Sequence, residues 1–206
     1  MSNVRRLENL RMRKPSPGPK TVLLNGIVVG EVVSTGDLEH DAEAVRQFLK
    51  SKGLHKEISL YQAIYNQAVA FANTSAYLYE RDLRRSPRKG VSAVPFVVNA
   101  AFGIELYLKA LAQKHGLALR GHELIKLYEA LPSKAHMEIE AVTPKCAANR
   151  ALDEAPNFLA YLKNLNSTFV EWRYSYELER TGAVHIEPTI FVMEVLHEAC
   201  GLAPAA

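Results

Sequence analysis

Cysteine and long apolar runs are scarce in this chain of 206 residues, and their scarcity excludes several protein classes. The two cysteines, Cys146 and Cys200, stand far apart, with no CxxC pair and no histidine at zinc-ligand spacing. This pattern argues against a disulfide scaffold and a zinc site, and it favours reduced thiols in the cytoplasm. Because no stretch of roughly 18 apolar residues stands out, we expect no membrane span, and the polar start lacks the apolar run of a signal peptide.

The short motifs of nucleotide hydrolysis, hydride transfer and peptide hydrolysis are missing as well. The chain contains no Walker loop, no GxGxxG, no HExxH and no GxSxG. His197 and Glu198 are adjacent, but no second histidine follows them, so we interpret them as an ordinary surface pair. We therefore expect neither a metal ion nor an organic cofactor.

Positive charge is unevenly placed, although the net charge is only +3. Residues 1–20 carry six basic side chains against Glu8 alone, and residues 81–89 carry five against Asp82 alone. Clusters of this kind bind phosphate backbones by releasing counterions. The competing interpretation is a solvated tail and a solvated helix end, which need no ligand.

The N-terminal quarter of the chain predicts a small β-hairpin followed by a helix. Residues 1–20 end in Pro-Ser-Pro-Gly-Pro-Lys and are expected to form a disordered basic tail. In residues 21–34, Asn25-Gly26 lies between β-branched and aliphatic residues, which is typical of a two-residue type I′ turn. A helix is predicted from about Leu38 to Lys52. We therefore divide the chain into a tail (1–20), a ββα appendage (21–54) and a main body (55–206).

The main body predicts an up-and-down helical bundle, so the fold class is mainly α with a small N-terminal β-hairpin and helix. Apolar residues recur at helical spacing throughout it, and Gly and Pro residues separate the segments. The first helix is expected to begin near Ser59, to run for about 25 residues and to end before Ser86-Pro87. The later helices are predicted at about 94–115, 122–130, 133–147 (limited or kinked by Pro144), 157–179 and 189–200.

The second long helix of the body holds a charged pair in apolar surroundings. Glu105 and Lys109 are four residues apart, so they lie on one face about one turn from each other. A helix that is apolar nearly all round is usually central and buried, and a buried carboxylate needs a partner. The pair is interpreted either as an ion pair that fixes packing or as part of a site.

Four polar residues later in the chain are predicted to line a groove together with Glu105 and Lys109. His122 opens the short helix, while Arg173, Tyr174 and Glu177 lie on the last long helix of the apolar pattern. Antiparallel packing would bring these residues toward Glu105 and Lys109. Two cations and an imidazole suit a phosphate or a base edge, whereas a purely structural network of salt bridges is the competing hypothesis.

Three pieces of sequence, GIELYLKAL, GHEL and WRYSYE, resemble the HEPN domain superfamily of helical bundles, as does their order along the chain. The resemblance implies a HEPN-like fold, a homodimer and functional roles for Glu105, Lys109, His122, Arg173 and Tyr174. Nuclease members of the superfamily carry an Arg-x4–6-His motif and cleave RNA without a metal ion. The matching pair in this chain is Arg180 and His185, which the resemblance casts as phosphate-holding and acid–base residues.

Three hypotheses about function follow from these observations. The leading one is a cytoplasmic, HEPN-like protein that binds RNA or nucleotide phosphates as a homodimer, in a defence or toxin–antitoxin setting. The second is a metal-independent ribonuclease that uses Arg180 and His185. The third is a noncatalytic interaction module, in which the N-terminal hairpin contacts a protein partner or a second copy.

Overall fold

The computed structural model of this chain describes residues 16–150, 157–166 and 186–201. It is mainly α-helical, with one small antiparallel hairpin near the N-terminus, which confirms the predicted fold class. The chain divides into two compact units, residues 1–57 and residues 58–206.

The hairpin of the first unit consists of β1 (Gly18–Leu24) and β2 (Ile27–Ser34). Asn25 and Gly26 connect the strands, and both have positive φ angles, 51° and 81°. Two consecutive positive φ values are what a type I′ turn requires, so the predicted turn is confirmed. The register shifts between Val22 and Leu23, which indicates a bulge in β1.

The first strand begins earlier than the sequence predicts. Gly18, Pro19 and Lys20 fall in the predicted disordered tail, but they pair with Ser34, Val33 and Val32. A two-stranded hairpin leaves the outer edge of each strand unpaired, and proline is tolerated on such an edge because it needs no donor there. The rest of the predicted tail, up to residue 15, lies outside the described residues.

Helix α1 (Leu38–Ser51) follows the hairpin and is anchored at its start by polar contacts. Asp37 caps it by accepting from the backbone N–H groups of Glu39 and His40. Inside the unit, Gly30 of β2 faces the ring of Phe48, at a φ of 152° that favours glycine. Val22 is the one buried hydrophobic residue among the described residues of this unit, so its core is small.

The second unit contains six α-helices within the ranges given above. The first two are α2 (Leu60–Leu78) and α3 (Ala93–Lys114), separated by a π-helical turn (Tyr79–Leu83) and a 3₁₀ turn (Gly90–Ser92). The others are α4 (Leu124–Glu129), α5 (Ser133–Asn149), α6 (Phe158–Leu165) and α7 (Ile186–Gly201).

Two proline residues lie inside helices. Pro144 lies within α5, which continues to Asn149, so the helix passes the proline and covers the range predicted for it. Pro188 is the third residue of α7, which begins at Ile186 and not after the proline. Proline is compatible with the first turn of a helix because the N–H groups there have no helical acceptor.

Two further helix boundaries differ from the prediction. The first body helix does not continue as a single α-helix, since α2 ends at Leu78 and a π-helical turn follows. The helix predicted over residues 157–179 begins as expected, but α6 ends at Leu165. Most of the remainder of that predicted helix lies outside the described residues.

Helix α3 is the centre of the bundle. It packs most extensively on α2 and α7, and 13 of its residues are buried. The segment Gly90–Lys114 is long and apolar enough to cross a membrane by composition, a feature that the search for apolar runs in the sequence missed. However, 61 % of its most apolar window is buried inside the unit, as is typical of the core helix of a bundle.

Candidate functional site

A carboxylate inside the core is the starting point of the candidate site. Glu105 lies on the buried face of α3, and only 2 % of the residue is exposed. Lys109, one helical turn further along, donates from Nζ to Oε1 of Glu105 across 2.6 Å. A buried charge of this kind is costly unless it is paired, and the lysine supplies the pair.

A second partner reaches the same carboxylate from outside the helix. His122 places Nδ1 3.1 Å from both Oε1 and Oε2 of Glu105. A carboxylate paired with Lys109 can only accept, so Nδ1 must carry the proton in this contact. Nε2 of His122 is therefore the ring nitrogen that is left to accept or donate elsewhere.

The three side chains form a path from the core to the surface. Their exposed side-chain fractions rise from 2 % for Glu105 to 19 % for Lys109 and 70 % for His122. The site is thus open on one side, and Glu105 is its buried anchor. Such an arrangement presents a cation and an imidazole to solvent, while the carboxylate fixes both of them.

The turn before α4 sets the position of His122. The sequence predicts that the short helix begins at His122, but α4 begins at Leu124 and His122 lies in the preceding turn. Gly121 has a φ of 97°, which an L side chain rarely adopts, so glycine suits this turn. Freed from the helix, the His122 side chain reaches back to Glu105 on α3.

Asn166 is a positioning residue that the sequence interpretation missed. At the end of α6, its Oδ1 accepts a hydrogen bond from the backbone N–H of Ile125 at 2.9 Å. This bond satisfies a donor in the first turn of α4 and fixes the end of α6 against the start of α4. The only signal in the sequence was an asparagine that follows an apolar helical pattern.

The remaining predicted site residues lie outside the described residues. They are Arg173, Tyr174 and Glu177, predicted for the groove, and Arg180 and His185, predicted for catalysis. Of the eight predicted residues, the structure brings together Glu105, Lys109 and His122.

His197 is not the ordinary surface residue that the sequence predicts. Its Nδ1 lies 3.0 Å from the hydroxyl of Tyr107 and 3.4 Å from that of Tyr65. The imidazole also stacks on the Tyr65 ring, with 5.7 Å between centroids. Glu198, its neighbour, instead pairs with Lys145. The prediction followed from the missing second histidine, and the sequence does not show that two tyrosines face His197.

A second charged network, also missed by the sequence interpretation, ties the end of α3 to α5 and α7. Lys114 is 3 % exposed in its side chain and lies 3.0 Å from Oε1 of Glu138. It also donates to the backbone carbonyl of Ala199, while His115 contacts the other Glu138 oxygen at 3.2 Å. Lys114, His115 and Glu138 are largely buried and are hydrogen-bonded to one another or to the backbone. We therefore assign this network a structural role.

The thiols are placed for packing and not for reaction. Cys146 and Cys200 are both buried and not bonded to each other. Burial raises the pKa of Cys146 to about 11 and that of Cys200 to about 12. Across the described ranges, no group of three or more His, Cys, Asp or Glu side chains is placed to hold a metal ion.

A cavity of about 590 Å³ lies between the π-helical turn, the end of α5 and the first half of α7. Its basic groups are already paired. Arg150 binds Glu194 at 2.7 Å and Glu187 at 3.0 Å, and Arg84 of the cavity wall binds Glu80. The described lining holds three carboxylates and two guanidinium groups, and it includes none of Glu105, Lys109 and His122.

Comparison with known proteins does not assign this chain to a family. No protein-family model, no curated protein and no solved structure gives a significant match to this chain.

Proposed function

We propose that this protein is a HEPN-like helical bundle that binds RNA or nucleotide phosphates at the Glu105 site. The observation that carries the proposal is the convergence of Lys109 and His122 on the buried carboxylate of Glu105. Two of the three sequence pieces with HEPN resemblance supply these residues. We place the protein in the cytoplasm as a homodimer, in a defence or toxin–antitoxin setting.

The roles of the three residues follow from their exposure. Lys109 provides a positive charge at the rim, and His122 offers Nε2 to a phosphate oxygen or a base edge. Glu105 is sealed beneath them, so it orients the two groups and does not contact the ligand. Its negative charge is neutralised by Lys109.

The residues after α6 are proposed as the other wall of the groove. Asn166 contacts Ile125, three residues beyond His122, so α6 ends beside the site. Arg173 follows Asn166 by seven residues, which span about 25 Å at most when fully extended. In this proposal Arg173, Tyr174 and Glu177 line the groove, and Arg173 contributes a guanidinium to a phosphate.

The test is binding of a fluorescently labelled, single-stranded RNA of about 12 nucleotides, a length chosen to cover one binding site, with ATP as a competing nucleotide. We expect His122→Ala and Lys109→Gln each to weaken binding by about tenfold, the worth of one charge-assisted hydrogen bond. Lys134→Ala is the control, because Lys134 is an exposed lysine without an acidic partner among the described residues. Circular dichroism of each variant verifies the helical fold.

The proposal is overturned if wild-type protein binds neither RNA nor ATP. It is also overturned if His122→Ala binds as tightly as wild type, because His122 is the most exposed of the three groups and its loss leaves the core untouched.

A second candidate function is metal-independent RNA cleavage by Arg180 and His185. It is supported by the sequence resemblance alone, because Arg180 and His185 both lie outside the described residues. In this reaction, His185 acts as the acid–base group and Arg180 holds the phosphate. Cleavage measured in chelator decides the matter: His185→Ala must abolish it, and unchanged cleavage removes His185 from the mechanism.

The third candidate is an interaction module in which the hairpin pairs with a second copy of the chain. Leu23, Val28 and Val33 are 61–72 % exposed, although the unit that carries them buries little apolar surface of its own. A small hairpin unit gains stability when such residues are covered. Deleting residues 1–54 and measuring the mass in solution tests this candidate, since an unchanged oligomer rules out the hairpin as the interface.

A further inference from the structure

An aspartate is buried in the middle of the second basic segment. Asp82 lies in the π-helical turn after α2 and is 2 % exposed, although it carries a charge. Three donors surround its carboxylate: the guanidinium of Arg81, Nζ of Lys89 at 2.9 Å and Oγ of Ser92 at 2.6 Å. Two of these donors come from the far side of the loop, so Asp82 closes the loop on itself.

The loop between Asp82 and Lys89, which we call the basic loop, is fixed at both ends. The backbone N–H of Lys89 donates to the carbonyl of Asp82 at 2.9 Å, in addition to the side-chain contact. Near the start of the loop, Arg84 binds Glu80 at 2.8 Å. The carboxylates of Glu80 and Asp82 are thus both paired with basic residues of the same stretch of chain.

Two arginines of the basic loop are left without an acid. Arg85 and Arg88 are exposed and have no acidic partner among the residues that the structure describes. Beside the loop, Arg81 lies 4.8 Å over the ring of Tyr77, and Tyr77 is itself 59 % exposed. The surface therefore presents two guanidinium groups without an acidic partner, those of Arg85 and Arg88, and an exposed tyrosine ring that Arg81 contacts.

We propose that the basic loop is a preformed contact surface for single-stranded RNA, held in its binding conformation by Asp82. In this assignment, Arg85 and Arg88 bind backbone phosphates, and a base stacks on the face of Tyr77 that Arg81 does not cover. The proposal rests on the proposed function and adds a second contact region, near the start of α3, to the Glu105 site on the same helix.

Two features favour RNA over another anionic surface. Guanidinium groups match phosphate oxygens with two donors each, and an exposed ring beside an arginine suits a splayed base. Ser92, which binds Asp82 just before α3, precedes Glu105 by 13 residues. At the rise of an α-helix this corresponds to about 20 Å along the axis. One extended strand of several nucleotides is a ligand long enough to contact both regions.

The charge contribution is tested by the salt dependence of binding to the same single-stranded RNA. Arg85→Ala and Arg88→Ala are compared with Lys134→Ala, which removes the same charge from a different exposed position. We expect the double variant R85A/R88A to lower the slope of log K against log salt by about 1.4, since each phosphate contact contributes about 0.7 for a single strand. Because K134A removes one charge and the double variant two, a double variant that loses no more than about twice the binding free energy lost by K134A overturns the proposal.

The organising role of Asp82 gives a test in which the sign of the effect is diagnostic. Asp82→Asn makes the protein more positive, so general electrostatic attraction predicts tighter RNA binding. If Asp82 holds the basic loop in its binding conformation, RNA binding should weaken instead. We expect a loss of about fivefold, because without the Asp82 contacts the loop must be ordered when the RNA binds. Ser92→Ala removes one donor without changing any charge, and we expect a smaller loss in the same direction.

Variants at the two regions separate this inference from the proposed function. If H122A weakens RNA binding but R85A/R88A and D82N do not, the basic loop is wrong while the Glu105 site stands. If the loop variants weaken binding and H122A does not, the Glu105 site is wrong and the loop stands. Vesicles containing phosphatidylserine are the comparison ligand, and loop variants that impair only vesicle binding overturn the assignment to RNA.

Discussion

Nδ1 of His122 lies 3.1 Å from both carboxylate oxygens of Glu105, although His122 is exposed and Glu105 is sealed in the core. The contact crosses the boundary between the interior of the bundle and its surface. Lys109 binds the same carboxylate from a more protected position. The two partners of Glu105 should therefore differ in what they contribute to stability, Lys109 much and His122 little, although both are proposed to contact the ligand.

The first prediction is that Lys109→Met destabilises the protein by about 3 kcal/mol, because it leaves the buried Glu105 charge without its closest partner. The free energy of unfolding in urea measures this. Glu105→Gln combined with Lys109→Met removes both charges and should recover part of the loss.

His122→Ala is the matched comparison for stability. Its side chain is 70 % exposed, so its removal should change the free energy of unfolding by less than about 1 kcal/mol. A loss for H122A as large as that for K109M would contradict the division of roles between the two partners.

The second prediction concerns Asp82 and acid. The side chains of Arg81, Ser92 and Lys89 hold the pKa of Asp82 well below its usual range. A lowered pKa in the folded state means that the stabilisation is fully present above about pH 4, the unfolded value, and is lost as the pH falls further. The stability difference between wild type and D82N should thus be constant from about pH 5 to 7 and should shrink toward about pH 2.5.

Urea unfolding of both proteins at each pH provides the measurement. Other carboxylates titrate in wild type and D82N alike, so their contribution cancels in the difference. A difference that stays constant down to the lowest pH would show that Asp82 is not held ionised by its three donors.

Sequence patterns were sufficient for the features that depend on neighbouring residues. Asn25-Gly26 predicted the hairpin turn, because positive φ at both positions is a local requirement. The spacing of Glu105 and Lys109 predicted a paired face, because four residues make about one helical turn. In both cases the cause lies within a few residues of the effect.

Contacts between residues that are far apart in the sequence could not be predicted from local patterns. Asn166 meets Ile125 across 41 residues, and His197 meets Tyr107 across 90. Such pairs depend on how the helices pack. The sequence of one helix does not indicate which other helix its polar residues will face. The start of α4 was predicted two residues early for a related reason, since His122 leaves the helix to reach Glu105.

The third prediction tests the contact of His197. Tyr107→Phe removes the hydroxyl that lies 3.0 Å from Nδ1 of His197 and should cost about 1 kcal/mol of unfolding free energy. Tyr128→Phe is the control, because the Tyr128 hydroxyl has no hydrogen-bond partner in the described part of the chain. Equal stabilities of Y107F and Y128F would mean that the tyrosine–histidine contact contributes nothing.

The fourth prediction concerns the packing of the hairpin on α1. Gly30→Ala directs a methyl group into the ring of Phe48 at a φ that disfavours L residues, and it should destabilise the first unit by about 2 kcal/mol. Gly53→Ala has the backbone penalty alone, since no neighbouring atom lies within 4 Å of the position that its Cβ would occupy. Hydrogen exchange of the β1 and β2 amides should rise more in G30A than in G53A, and an equal rise would contradict the proposed clash.

The burial of both cysteines has a practical consequence for studying this protein in solution. With a pKa of about 11, the Cys146 thiol is ionised in about one molecule in ten thousand at pH 7, and Cys200 even less. The natural chain can therefore serve as an unreactive background for maleimide labelling. A single cysteine introduced at an exposed position would carry a fluorophore or spin label alone, and alkylation of the natural thiols would report unfolding.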